Sequence, residues 1–141
     1  MFKRLLNKIF KNNVEEQKQE IIMMENPIIE FVLAELIEGI YDKDNEFFWN
    51  HHGCDKDNYI RLAERSEILY KKYLDGKDIE SIKKDFECND ISGAYLSERQ
   101  IIKVYKYGNR YILVDDGRHR VAAAQELKLY IPVKIIGEYK I

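Results

Sequence analysis

The feature that most constrains this chain is a change of hydrophobic period near residue 100. Two β-rich runs at 101–105 and 110–114 are separated by a turn that contains glycine, which predicts a β-hairpin. An alanine-rich stretch at 121–129 then predicts a helix. Residues 131–136 predict a closing strand, with Pro132 at its beginning or at an edge. The C-terminal third is therefore a hairpin–helix–strand unit of an α/β fold.

The N-terminal two thirds show helical signals instead. Asn26 and Pro27 are suited to open a helix over 28–40, which is apolar nearly all round and would lie in the core. Asp55 or Asp57 can cap a second helix that runs to about residue 73. That helix ends at an Asp-Gly pair, and a short third helix follows it. These helices are predicted to pack on a small mixed sheet.

Residues 1–24 form a separate segment. A basic amphipathic helix is predicted over residues 2–11, followed by a polar linker, and residues 25–141 form the domain. The amphipathic helix suits a membrane-surface anchor or, more simply, a helix that docks on the domain or on a partner. It lacks the long apolar core and the small-residue cleavage site of a secretory signal.

Composition narrows the class of protein. The 141 residues are 45% hydrophobic and 34% charged, which is typical of a globular chain. The formal net charge of −2 gives no general attraction for nucleic acid, so an anion site must be local. Two cysteines without CxxC spacing predict neither disulfides nor zinc, and no run reaches the length of a membrane span. The cytoplasm is the expected compartment.

The strand-to-helix junction at 115–120 carries the most chemistry. The first turn of a helix leaves backbone N–H groups without helical partners, and the helix dipole adds partial positive charge there. Gly117 lets a ligand approach the backbone, while Arg118 and Arg120 add full charges and His119 a titratable group. Together these groups predict a site for an anion, most commonly phosphate.

A structural interpretation of the same residues stands beside this one. Asp-Gly is also an ordinary turn, and the two arginines can form solvated ion pairs with Asp115 or Asp116. Two arginines that flank a histidine directly at a strand-to-helix turn favour the functional interpretation.

The C-terminal sequence also resembles a known superfamily. Residues 111–135 read Tyr-Ile-Leu-Val-Asp-Asp-Gly-Arg-His-Arg-Val-Ala-Ala-Ala-Gln-Glu-Leu-Lys-Leu-Tyr-Ile-Pro-Val-Lys-Ile. This order of a strand, a Gly-x-x-Arg turn, an Ala-rich helix and an Ile-Pro-Val strand resembles the ParB/sulfiredoxin superfamily over about residues 100–141. The resemblance implies that fold, with phosphate bound by the turn. The superfamily includes CTP-binding partition proteins, a sulfinic-acid reductase, a free serine kinase and ParB-like nucleases.

Departures from these groups decide which activity the resemblance implies. The reductase is similar to Gly-Cys-His-Arg, but Arg118 stands where it has its cysteine. The partition proteins carry an arginine where this chain has Ala122. The free serine kinase is similar to Asp-Gly-His-His-Arg at this turn. This chain matches four of the five positions, at Asp116, Gly117, His119 and Arg120, and differs at Arg118. The match implies phosphate binding and names no substrate.

A second group of residues lies in a predicted loop at 42–58. Trp49, His51 and His52 stand almost together, and only one other histidine occurs in the chain. They are interpreted as a nucleotide lid in which Trp49 stacks on a base, as a metal site, or as an aromatic plug with surface histidines. The lid interpretation requires this loop to fold over the 116–120 turn. No resident metal is expected.

Two functions follow from the sequence. The first is a nucleotide-dependent phosphotransferase or phosphohydrolase, nuclease-like, whose cofactor is a nucleoside triphosphate, with Mg²⁺ held through water by Asp115 or Asp116. Gly117 and Arg118 would hold phosphate, with Trp49, His51 and His52 as further binding residues. His119, Arg120 and Asp116 would be catalytic. The second is a non-catalytic module that binds a nucleotide, another phosphorylated ligand or a nucleic acid and regulates a partner.

Overall fold

A computed structural model describes residues 20–41, 55–85 and 95–140 of the chain, and these residues form a mixed α/β structure. The elements, in chain order, are β1 (Ile21–Leu33), a 3₁₀ helix (Ala34–Leu36), β2 (Ile37–Ile40), α1 (Lys56–Leu74), α2 (Ile79–Asp85), β3 (Ile102–Tyr107), β4 (Arg110–Val114), α3 (Arg118–Glu126) and β5 (Tyr130–Tyr139). The basic helix predicted at 2–11 and the loop with Trp49, His51 and His52 lie outside the described residues.

The strands form one mixed sheet in the order β1-β5-β3-β4-β2. β1 pairs with β5 and β3 with β4 in antiparallel fashion, whereas β5 with β3 and β4 with β2 are parallel. Tyr107 pairs with Arg110 across the two-residue turn of the β3–β4 hairpin, and Gly108 has a φ of 61° there. A positive φ at the first turn residue suits the twist of a hairpin, so the predicted hairpin is confirmed.

The helix predicted over 28–40 is wrong. This stretch lies in β1, the 3₁₀ helix and β2, and Pro27 falls inside β1 where its register with β5 shifts between Met23 and Ile28. A short run that is apolar on all sides fits a buried strand as well as a buried helix, and its Ile and Val residues favour the strand. β1 also begins at Ile21, inside the segment assigned to the linker.

The two edge strands are joined by the three residues Ala34–Leu36 alone. The edges of a flat sheet of five strands would stand about 19 Å apart at the usual strand spacing. Four Cα steps span at most about 15 Å, so the sheet curls. Gln125 of α3 holds this link: its Nε2 donates to the carbonyls of Ala34 at 3.1 Å and of Ile37 at 2.9 Å. The curl and this contact fix α3 against the sheet.

Helices α1 and α3 pack on each other, and α1 also packs on β5. The predicted second and third helices are confirmed as α1 and α2, and Gly76, just after α1, has a φ of 97°. The core between helices and sheet is formed by side chains without solvent exposure, among them Ile102, Val104, Leu113, Val121, Ile131 and Val133. No helix within the described residues is both long and apolar enough to cross a membrane.

The closing strand is also confirmed, as β5. Pro132 is its third residue and pairs with Phe31 of β1, one position before pairing with β3 begins at Val133. Proline has no N–H to donate to a neighbouring strand. Because Pro132 comes before the pairing with β3 begins, no hydrogen bond between β5 and β3 is lost.

Candidate functional site

The junction between β4 and α3 has an unusual backbone. Asp115 has a φ of 71° and Gly117 a φ of 118°. A Cβ atom on Gly117 would lie 3.0 Å from Ile102 Cγ1 and 3.2 Å from Arg120 Nη2. Only glycine combines this φ with such close neighbours, so Gly117 is required by the turn itself.

The first turn of α3 has no side-chain cap. Gly117 is the N-cap residue, and its carbonyl accepts the first helical hydrogen bond from Val121 N at 2.9 Å. The Gly117 N–H donates to Asp116 Oδ1 at 2.9 Å. The helix geometry gives the following N–H groups, of Arg118, His119 and Arg120, no partner inside the helix. The positive end of the helix dipole lies at the same place.

A buried cation stands beside this helix start. Arg120 is 9% exposed, and its Nη1 donates to the backbone carbonyl of Gln100, just before β3. Burial lowers the pKa of Arg120, while the Asp116 carboxylate and the hydroxyls of Tyr95 and Tyr59 act in the opposite direction. Arginine stays protonated in proteins, so Arg120 brings a fixed, oriented positive charge.

Tyr95 lies in the interior of the fold, near enough to influence this cation electrostatically. It has no solvent exposure. Burial raises the pKa of Tyr95 to about 12, against the opposing effects of Arg120 and of the Ser66 hydroxyl. The Tyr95 hydroxyl is therefore protonated at neutral pH and adds no negative charge beside Arg120.

A single pocket of about 490 Å³ contains the start of α3. It is lined by Asn58, Tyr59 and Leu62 of α1, by Gln100, and by Asp116, Gly117, Arg118, His119 and Arg120. The rings of Tyr59 and His119 are 5.3 Å apart between centroids and tilted by 49°. The pocket therefore has one wall of positive charge and backbone donors, and another from the first turns of α1.

The sequence predicted eight site residues, and the structure brings five of them together in this pocket, 116 to 120. The other three, Trp49, His51 and His52, lie outside the described residues, so their placement over the turn stays a prediction. Sequence reasoning missed the α1 wall because Tyr59 and Leu62 fit its apolar stripe. The one sequence signal for these two residues is their position in the first two turns of α1, which begins after the capping residue Asp55.

A carboxylate lines the pocket as well, although it is not part of a metal cluster. Within residues 20–41, 55–85 and 95–140, no group of three or more His, Cys, Asp or Glu side chains could hold a metal ion. Asp116 is exposed and one of its oxygens already accepts the Gly117 N–H. A single carboxylate of this kind suits contact with a hydrated cation that a ligand brings with it.

The chain was also compared with known proteins. No protein-family model, no curated protein and no solved structure matches it. The resemblance to the ParB/sulfiredoxin superfamily therefore stays a prediction from the order of motifs over about residues 100–141.

Proposed function

We propose that this protein binds the phosphate group of a nucleotide at the start of α3. The observation that carries this proposal is the buried Arg120, which lines the same pocket as the uncapped first turn of the helix. Phosphate binds readily where helix N–H groups, a helix dipole and an arginine converge. The backbone carbonyl of Gln100 accepts a hydrogen bond from Arg120, and the Asp116 carboxylate also acts on this cation.

Each residue of the turn has a role in this proposal. Gly117 permits the φ of 118° on which the turn depends, and Arg118, which is half-buried in the pocket wall, adds a second charge. His119 is a donor to phosphate or an acid-base group. A nucleotide of this kind commonly brings Mg²⁺, which supplies charge neutralisation and which Asp116 would hold through water.

This proposal has two forms, and in the first the protein is an enzyme. His119 and Asp116 lie at the phosphate seat, where an acid-base group and a carboxylate serve phosphoryl transfer or phosphate hydrolysis. The class would be a nucleotide-dependent phosphotransferase or phosphohydrolase of ParB/sulfiredoxin type. The second form is a non-catalytic binding module, which needs only the seat formed by Gly117, Arg118 and Arg120.

Calorimetric titration tests the seat with inorganic phosphate, tripolyphosphate, ATP, CTP and GTP, each with and without Mg²⁺. Loss of one charge-assisted hydrogen bond costs about 1.5–3 kcal/mol, so Arg120→Gln should weaken polyphosphate binding roughly 10- to 100-fold. Arg65→Gln removes an exposed α1 arginine that does not line the pocket and should leave binding unchanged.

Two results would sink the proposal: no binding of any of these ligands by the wild-type protein, or equal losses in the two arginine variants. Release of phosphate from the bound nucleotide, lost in His119→Asn with binding retained, distinguishes the enzyme from the binding module.

A further inference from the structure

We infer that the α1 wall of the pocket is a subsite for a flat heterocyclic ring, with the Tyr59 side chain as its platform. This inference rests on the proposed phosphate seat and adds the residues that bind the base of the nucleotide. The ligand would be a mononucleotide, held by its phosphates at α3 and by its base at α1.

The chemistry of the two walls differs in the way that a nucleotide requires. Arg118 and Arg120 supply positive charge on one side, at the start of α3, where Asp116 also lies. The other side has the phenol ring of Tyr59 and the apolar Leu62. A phosphate group alone gains no favourable contact from an aromatic and apolar wall. A base, by contrast, has a π-face that stacks on an aromatic side chain.

Polar groups for the edge of a base are also present. Asn58 and Gln100 line the pocket, and a carboxamide side chain both donates and accepts hydrogen bonds. Pockets for small molecules commonly combine an apolar or aromatic lining with a few such groups that fix orientation.

The position of Tyr59 joins the two walls. Its ring contacts the ring of His119 at 5.3 Å between centroids, and its hydroxyl is close enough to affect the pKa of Arg120. The Tyr59 ring is half-buried, and α1 holds it beside the phosphate seat. A ring stacked there would therefore lie next to the anion site, as the base and phosphates of one nucleotide do.

The size of the pocket favours a single nucleotide over a strand. Its volume of about 490 Å³ lies within the usual range of roughly 300–1,000 Å³ for small-molecule sites. Strand-binding grooves instead track about 4–16 nucleotides along a positively charged surface, and the chain's formal net charge is −2.

The test compares nucleoside triphosphates with tripolyphosphate in the wild-type protein and in two Tyr59 variants. Stacking is worth about 1–3 kcal/mol a base, so Tyr59→Leu should lower nucleotide affinity roughly 5- to 100-fold. The same variant should bind tripolyphosphate as the wild type does. Tyr59→Phe keeps the ring without the hydroxyl and should bind nucleotides within about twofold of the wild type.

Three outcomes would overturn the inference. They are equal wild-type affinity for tripolyphosphate and nucleotides, an equal loss of both ligands in Tyr59→Leu, or a loss in Tyr59→Phe as large as in Tyr59→Leu. In each case tripolyphosphate still binds the wild type, so the phosphate seat survives while the ring subsite fails. Failure of tripolyphosphate and nucleotides alike to bind the wild-type protein removes both proposals.

Discussion

The start of α1 and the start of α3 line the same pocket, but only α1 has a side chain that caps its first turn. At α1, Asp55 Oδ1 accepts the N–H of Asn58 at 3.1 Å, so the chain supplies its own negative charge to that helix. At α3, the N-cap is Gly117 and no side chain caps the helix. The comparison shows that the two helix starts differ in which backbone N–H a carboxylate accepts: Asp55 reaches the third residue of α1, whereas Asp116 accepts the N–H of Gly117 before α3.

The start of α2 follows the pattern of α1. Asp78 Oδ1 accepts the N–H of Ser81 at 2.7 Å. Two of the three α-helices whose starts are described are thus capped by an aspartate. Gly117 is the exception because its φ of 118° and its neighbours at 3.0–3.2 Å leave no room for a capping side chain. The uncapped start of α3 is therefore a consequence of the turn geometry.

The largest effect is expected when a side chain is forced into that turn. Gly117→Ala places a Cβ at 3.0 Å from Ile102 Cγ1 in a backbone conformation that costs alanine about 1–2 kcal/mol. Crowding adds about 1–3 kcal/mol. We expect the free energy of unfolding to fall by about 2–5 kcal/mol, measured by denaturant unfolding.

Phosphate binding should fall in the same variant, because the Cβ would stand 3.2 Å from Arg120 Nη2. Gly108→Ala is the matched control, since its φ of 61° is also positive but nothing lies within 4 Å of its Cβ position. It should lose about 1–2 kcal/mol and keep phosphate affinity. Equal behaviour of the two variants would contradict the special role of Gly117.

A smaller effect is expected at the capped helix. Asp55→Ala removes the carboxylate that accepts the Asn58 N–H and should lower the free energy of unfolding by about 1 kcal/mol. Affinity for phosphate should not fall, because the carboxylate belongs to α1 and is not part of the seat at α3. Calorimetry and thermal unfolding of the same sample check both statements. Weaker phosphate binding in this variant would mean that the two helix starts act as one site.

The C-terminal unit and the rest of the fold also differ in how far the sequence predicts their structure. The C-terminal unit was predicted element by element, because each element carries a local signal: Gly108 for the hairpin, Gly117 for the junction, and alanines for the helix. The five residues from 116 to 120 are contiguous, so one local motif brought them together. Contacts that such a motif fixes can be predicted without the tertiary fold.

The rest of the fold depends on long-range pairing. β1 is a strand because it pairs with β5, 97 to 118 residues away in sequence, whereas the local pattern of 28–40 fits a helix equally well. Tyr59 enters the pocket only because α1 crosses α3, and Gln100 only because it precedes β3. Such residues have ordinary roles in their own elements, so their local sequence carries no sign of a site.

The smallest effect concerns the cap of α2, and it tests whether the aspartate caps are real electrostatic partners. The hydrogen bond from the Ser81 backbone N–H, followed by that from the Ser81 hydroxyl, lowers the pKa of Asp78 below its ordinary value of 3.8. A carboxyl whose pKa is lowered in the folded protein stabilises the fold above the unfolded value of 3.8. That contribution is lost as pH falls through the lower folded value.

We therefore expect the Asp78 carboxyl carbon to titrate below pH 3.8 in an NMR series, with loss of the protected Ser81 amide over the same acidic range. Because the backbone bond is the larger cause, Ser81→Ala should keep the pKa of Asp78 lowered, whereas Ser81→Pro should abolish the shift by removing both donors. A midpoint at or above 3.8 in the wild-type protein would mean that the aspartate contributes nothing as an anion. In that case α2 would no longer be a second example of a helix whose first turn is stabilised by a charged aspartate. The contrast with Gly117 would then rest on Asp55 alone.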